Sequence, residues 1–179
     1  DVCDSTRFEK EFNFLENNPK YSIVSTSMIY FDENGPFAKG KVFDKVPNID
    51  SFTKGTVFCH APCMARKKAY DLVRGYTESK WLLRNEDYNL WAKMYAKGLI
   101  GYNMNECLYS MRDDRNAIAR RTFRGGINSI YSLTVAYKML HFSTCKYIRN
   151  VLFQVIKMVL PRFVYRHFHY RGLKKSVMD

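Results

Sequence analysis

Two adjacent carboxylates, Glu86 and Asp87, open the stretch Arg84-Asn-Glu-Asp-Tyr-Asn-Leu-Trp-Ala-Lys-Met-Tyr-Ala-Lys-Gly98. The spacing predicts a helix with its own boundaries. Asn85 is a good N-cap, Leu90, Trp91, Met94 and Tyr95 recur on one apolar face, and Gly98 stands where a left-handed C-terminal cap would fall. Paired acids at such a mouth interact favourably with the outward-pointing N–H groups of the first turn, and for an isolated pair that is reason enough. A carboxylate fixed there can also take a proton from a bound hydroxyl, a role worth about 10²–10⁴ in rate. Other residue types suited to chemistry lie elsewhere along the chain. His60 sits within an apolar run, where a core histidine is the commoner outcome. Trp91 shares the apolar face of the helix and reads as core before it reads as a platform for a ligand. Arg112, with Asp113 and Asp114 after it, opens a charged stretch, and Asp1 leads the chain.

The elements that must position these residues follow from pattern. Ser5 or Thr6 caps a helix over Arg7–Glu16 whose Phe8, Phe12 and Leu15 fall on one face, ended by Asn17-Asn-Pro19. Tyr21 to Phe31 is rich in β-branched and aromatic residues and reads as a strand. Glu33-Asn-Gly35 turns it toward a second strand around Lys39–Phe43. Residues 46–54 read as loop, and 55–65 begin as a buried strand. A short helix from Arg66 to Arg74 closes at Gly75, and Leu99 to Met111 forms a further strand. Ile127–Leu140 is helical. Residues 146–170 form a basic, broadly apolar helix interrupted by Pro161. This mixture argues an α/β or α+β chain.

Charge divides the chain in two. Residues 1–111 hold 15 Lys/Arg against 14 Asp/Glu, whereas residues 112–179 hold 14 against 3, so a net +11 falls on the last 68 residues. The expected organisation is a domain over 1–111 and a basic helical region over 112–179. In the latter, basic residues alternate with large aliphatics at helical spacing. That suits an anionic membrane surface better than a nucleic-acid groove, although a non-enzymatic module binding either remains the alternative reading. Five cysteines with no Cys-x-x-Cys pair fit neither a disulfide framework nor a zinc ribbon and point to a reducing, cytoplasmic setting. Neither a signal peptide nor an uninterrupted apolar run of spanning length is expected.

Several stretches, taken in order, resemble the C-terminal half of family 2 glycosyltransferases with the GT-A fold. They are Asp1 followed by Arg7-Phe-Glu-Lys, then Phe14-Leu-Glu-Asn-Asn-Pro before the Tyr21–Ile29 strand. His60-Ala-Pro-Cys-Met-Ala-Arg-Lys and Gly75-Tyr-Thr-Glu come next. Glu86-Asp-Tyr-Asn-Leu-Trp and Asn105-Glu-Cys-Leu-Tyr-Ser-Met-Arg112 complete the series. Nothing in the chain matches the strand-rich nucleotide-binding half with which members of the family begin. The fold class implied is α/β, the acceptor-side half of a Rossmann-like GT-A domain followed by a helical appendage.

The resemblance also implies an activity. A nucleotide-sugar donor would give its sugar to a hydroxyl of a saccharide or lipid-linked acceptor, with inversion, in a bacterial envelope or exopolysaccharide pathway. Asp87 would be the general base and Glu86 its neighbour on the acceptor. His60, Trp91 and Arg112 would bind substrate, Arg112 through diphosphate. Asp1 would be a remaining carboxylate of a Mg²⁺ or Mn²⁺ site. The chain is then expected to be a fragment with little activity alone, prone to self-association, and peripheral on the inner face of the plasma membrane.

Overall fold

A computed structural model of the chain describes residues 1–41, 43–112 and 122–160. Its centre is a five-stranded mixed sheet of order β1-β5-β2-β3, with β4 also paired to β2. The long central strands β2 (Tyr21–Asp32) and β5 (Ile100–Arg112) run parallel. The short strands β1 (Val2–Cys3), β3 (Gly35–Lys39) and β4 (Met64–Ala65) pair antiparallel with them. The hairpin after Gly35 therefore begins its return strand at once, about four residues before the expected position.

Helix α1 (Arg7–Asn17) packs on this sheet, but not through the expected face. Arg7, Glu11 and Leu15, spaced at i, i+4 and i+8, are the buried positions, while Phe8 and Phe12 are each 58% exposed. Phe8 and Phe12 each lie one position past Arg7 and Glu11, hence rotated about a quarter-turn away from the sheet. Thr6 occupies the N-cap position without a capping bond; its hydroxyl donates to Asp4 at 2.6 Å instead. Arg66 fastens the far end of α1, donating to the Leu15 carbonyl, to Glu16 at 3.0 Å and to the Tyr21 carbonyl at 3.2 Å.

The segment before β4 departs from its expected form. Val57, Phe58 and Cys59 are buried, yet the chain from 55 to 63 is irregular rather than a strand. Burial without a ladder leaves carbonyls that need partners, and side chains supply them. The Asn103 amide donates to Val57 at 3.0 Å, and the Ser25 hydroxyl donates to Cys59 at 2.8 Å. Upstream, a 3-10 helix (Ile49–Lys54) stands where loop was expected, started by a reciprocal cap between Asn48 and Ser51.

Helix α2 (Lys67–Val73) leads to α3 (Glu86–Ala96), whose Leu90, Trp91, Ala92 and Met94 are fully buried. Gly98 ends it with a φ of 77°, as its cap position requires. Two tyrosines of α3 anchor the irregular chain opposite. The Tyr88 hydroxyl donates to the Phe52 carbonyl at 2.9 Å; that of Tyr95 donates to Pro47 and accepts from the Gly101 N–H, both at 3.1 Å.

Helices α4 (Phe123–Leu140) and α5 (Thr144–Val159) complete the described chain. Leu133, Ala136, Leu140 and Phe142 join the same core cluster as Trp91 and Phe58, so the change of charge at residue 112 is not a break in packing. The α4–α5 pair is held by a Tyr137–Tyr147 ring stack at 4.4 Å and by Gly126, which leaves a notch filled by Met158. A Cβ on Gly126 would lie 2.3 Å from Met158 Cγ. Asp113, Asp114, the Pro161 break and the basic tail lie outside the described residues.

Candidate functional site

Asp87 and Glu86 occupy the first turn of α3, each half-buried, with amide groups of the helix start behind them. Asn85 holds the N-cap position, but its side chain does not cap; the amide donates to the Leu83 carbonyl at 3.3 Å. Immediately before it, Arg84 adopts a φ of 67°, a left-handed conformation that is uncommon for a residue other than glycine. That backbone turn delivers the chain into α3 at the edge of an open cleft of about 260 Å³.

The cleft has walls from four parts of the chain: the end of the 3-10 helix, the start of α3, and one side each of α4 and α5. Asp87 is its carboxylate. Lys54, Arg84 and Lys157 are its cations, and Ser129, Asn150 and Gln154 add neutral polar groups. Pattern reading did not find Lys54, Arg84 or Lys157. They come from three elements far apart in sequence, and each alone looks like an ordinary surface cation. Lys146 of α5 donates to Asp50 at 2.6 Å and so ties α5 to the 3-10 helix across the structure.

A separate group of aromatic side chains meets α3 at Trp91. His60 is exposed, not a core histidine, because the run that carries it is an irregular surface segment rather than a buried strand. Its ring meets Trp91 at 5.8 Å and stands edge-on to Tyr76 at 6.4 Å. Trp91 itself is fully buried, with its ring edge-on to Phe58 at 5.6 Å, so it offers no face to a sugar. Tyr76 is 46% exposed and does offer one. Burial first, and then neighbouring groups led by Tyr70 and Asp87, push its hydroxyl up to about 12. Sequence reading passed over Tyr76 because a lone tyrosine after a glycine carries no periodic signal.

The segment holding Tyr76 is itself pinned to α3. The Lys93 ammonium donates to the Gly75 carbonyl at 2.6 Å and to the Thr77 hydroxyl at 3.1 Å. The structure thus sets His60 against Tyr76 and against Trp91 of α3, the helix whose first turn carries Glu86 and Asp87.

Asp1 and Arg112 form a separate grouping. The Asp1 carboxylate accepts from the Tyr109 hydroxyl at 3.1 Å and from the Arg112 backbone N–H at 2.8 Å, held by the β1–β5 pairing. Among the described residues no group of three or more His, Cys, Asp or Glu side chains converges as a metal site would require. Asp1 alone is an incomplete donor set, so the described residues do not by themselves fit a Mg²⁺ or Mn²⁺ ion.

With this geometry in view, the chain's curated relatives belong to one class, the glycosyltransferases. EpsE of Bacillus subtilis (strain 168), a protein named as a glycosyltransferase, is 34% identical over 179 residues, covering all of this chain and 62% of EpsE. The UDP-Gal:alpha-D-GlcNAc-diphosphoundecaprenol beta-1,3-galactosyltransferase of Escherichia coli is 30% identical over 171 residues, covering 90% of this chain and 58% of that protein. The amylovoran biosynthesis glycosyltransferase AmsE of Erwinia amylovora is 26% identical over 161 residues, covering 88% and 58% respectively. The chain therefore spans about three-fifths of the length of these relatives. No family model matches it.

Proposed function

We propose that this chain is the acceptor-side part of a family 2 glycosyltransferase of the GT-A fold, and that Asp87 is its general base. The observation that carries the reading is the position of Asp87. It is a half-buried carboxylate on the first turn of α3, lining an open polar cleft together with Lys54, Arg84 and Lys157.

In the proposed reaction an acceptor hydroxyl gives its proton to Asp87 as its oxygen attacks the anomeric carbon of the donor. The new C–O bond forms on the face opposite the departing diphosphate, whose bond to the sugar breaks, so the configuration inverts. Glu86 would hydrogen-bond the acceptor beside the reacting hydroxyl. His60 and Tyr76 would present ring faces and edges to a sugar, the part assigned from sequence to Trp91. Arg112 would pair with donor diphosphate. A divalent cation, if the complete enzyme binds one, would neutralise charge on the leaving diphosphate. Asp1 would be one of its carboxylate ligands. A nucleotide-sugar donor and a lipid-linked or polysaccharide acceptor are supported by the names of the Escherichia and Erwinia relatives.

The test is Asp87→Asn in the complete enzyme, with Glu86→Gln beside it. Asp87→Asn keeps the shape and removes the base, so turnover should fall by roughly 10²-fold or more with the melting temperature preserved. Glu86→Gln should mainly raise KM for the acceptor. Near-normal turnover in Asp87→Asn would return both acids to the role of helix-dipole partners.

A further inference from the structure

Helix α5 is unusual among the described helices in having no buried residue over its 16 positions. One side nevertheless packs. Tyr147 and Val151 meet the core, Met158 fills the Gly126 notch, and Asn150, Gln154 and Lys157 line the Asp87 cleft. The opposite side carries Ile148 at 51% exposure, Leu152 at 57%, Val155 at 44%, Ile156 at 52% and Val159 at 72%. At 100° per residue these five fall within an arc of about 100°, a continuous apolar stripe along the helix. Solitary exposed aliphatics are ordinary on a protein surface; a contiguous stripe of them marks a contact surface.

Charge indicates what covers it. Arg149 is exposed on the border of the stripe, and the residues that follow the helix, 161–179, carry five Lys/Arg against one Asp. A second copy would bring a second Arg149 to the stripe and add to a chain already of net positive charge, and residues 161–179 share the sign of the helix. Both meet repulsion. An anionic lipid surface meets attraction from the same residues and takes up the aliphatics as well.

We propose that the outer arc of α5 seats in the headgroup–acyl boundary of an anionic bilayer, with the helix lying in the plane of the surface. No helix among the described residues is long and apolar enough to cross a membrane, so contact is from one side. This contact does not depend on the transferase reading. It would, however, hold the Asp87 cleft within about a helix diameter, some 10 Å, of the lipid, since the same helix forms a wall of that cleft.

Flotation of the chain with phosphatidylcholine vesicles, with and without phosphatidylglycerol, tests the proposal. The unaltered chain should float with the anionic vesicles and lose most of that binding in high salt. Ile148→Ser, Leu152→Ser and Ile156→Ser combined should weaken binding at least tenfold. These positions are exposed, so the fold should survive; a thermal melt checks that. Arg149→Glu, which leaves every apolar contact in place, should weaken binding to anionic vesicles several-fold. The proposal is overturned if the chain does not float with anionic vesicles, or if the triple variant floats undiminished. A concentration-dependent dimer that the triple variant abolishes, in a chain that ignores vesicles, would assign the stripe to a second copy instead.

Discussion

The backbone N–H of Arg112 donates to the carboxylate of Asp1 at 2.8 Å, joining residues 111 positions apart at the edge of the sheet. Sequence reading assigned these two residues separate tasks, one toward a metal and one toward a diphosphate. Their contact makes a local test possible. Asp1→Ala should speed amide exchange at Arg112 several-fold, measured by hydrogen exchange, with little loss of global stability because both residues are exposed.

Tyr76 and Trp91 should separate cleanly. Trp91→Ala removes a fully buried ring and should cost about 3–5 kcal/mol of stability. Tyr76→Ala should leave the melting temperature nearly unchanged, since the ring is half exposed, while raising KM for a saccharide acceptor in the complete enzyme. A normal KM in Tyr76→Ala would remove that ring from the site.

Tyr95→Phe isolates one hydroxyl that serves two backbone groups, donating to Pro47 and accepting from Gly101. Its loss leaves a buried donor and a buried acceptor unsatisfied. The expected destabilisation is about 1–3 kcal/mol by denaturant titration, with an unchanged m-value.

Glu11 is fully buried beside Arg7 at 3.8 Å, and its carboxyl is pushed up to about 7 by burial, which outweighs the attraction of the guanidinium. The sign follows from proton uptake. Between about 4.5, the ordinary value, and 7 the folded chain holds a proton that the unfolded chain has lost. Stability from this group is therefore greatest below that window and falls as pH rises through it. Glu11→Gln should flatten the pH dependence of the melting temperature over that range.

All five cysteines are free thiols in the structure. Burial pushes the Cys59 thiol up to about 12 and raises that of Cys63 well above its usual range, whereas Cys3 and Cys145 are exposed. A thiol reagent at neutral pH should label Cys3 and Cys145 rapidly and reach Cys59 and Cys63 only on unfolding. Fast labelling of Cys59 in the native chain would contradict its burial.

Where pattern and packing agreed, the elements were legible. The apolar face of α3 declared itself by period and β2 by its β-branched and aromatic composition, and the strand over Leu99–Met111 was found within a residue at each end. Errors arose where burial and period part company. Phe8 and Phe12 share a face but not the buried one, because Glu11 is buried despite its charge. Val57 to Cys59 are as apolar as a strand, yet their carbonyls are served by Asn103 and Ser25 rather than by a neighbouring strand. At the site, Glu86 and Asp87 were readable because helix and acids are contiguous. Lys54 and Lys157 were not, because only the folded chain brings them to the cleft that Asp87 lines, and Arg84 and Tyr76 carry no periodic signal of their own.

The notch at Gly126 acts as a spacer made of nothing. The missing side chain lets Met158 seat against α4, on the same helix that brings Gln154 and Lys157 to the opening above Asp87. Any larger residue there would act as a wedge against the Met158 side chain, which must swing out of the notch or carry α5 with it. Gly126→Ala and Gly126→Val thus form a graded series. A carried α5 would reshape the cleft lined by Gln154 and Lys157, whereas a swung Met158 would leave it as it is.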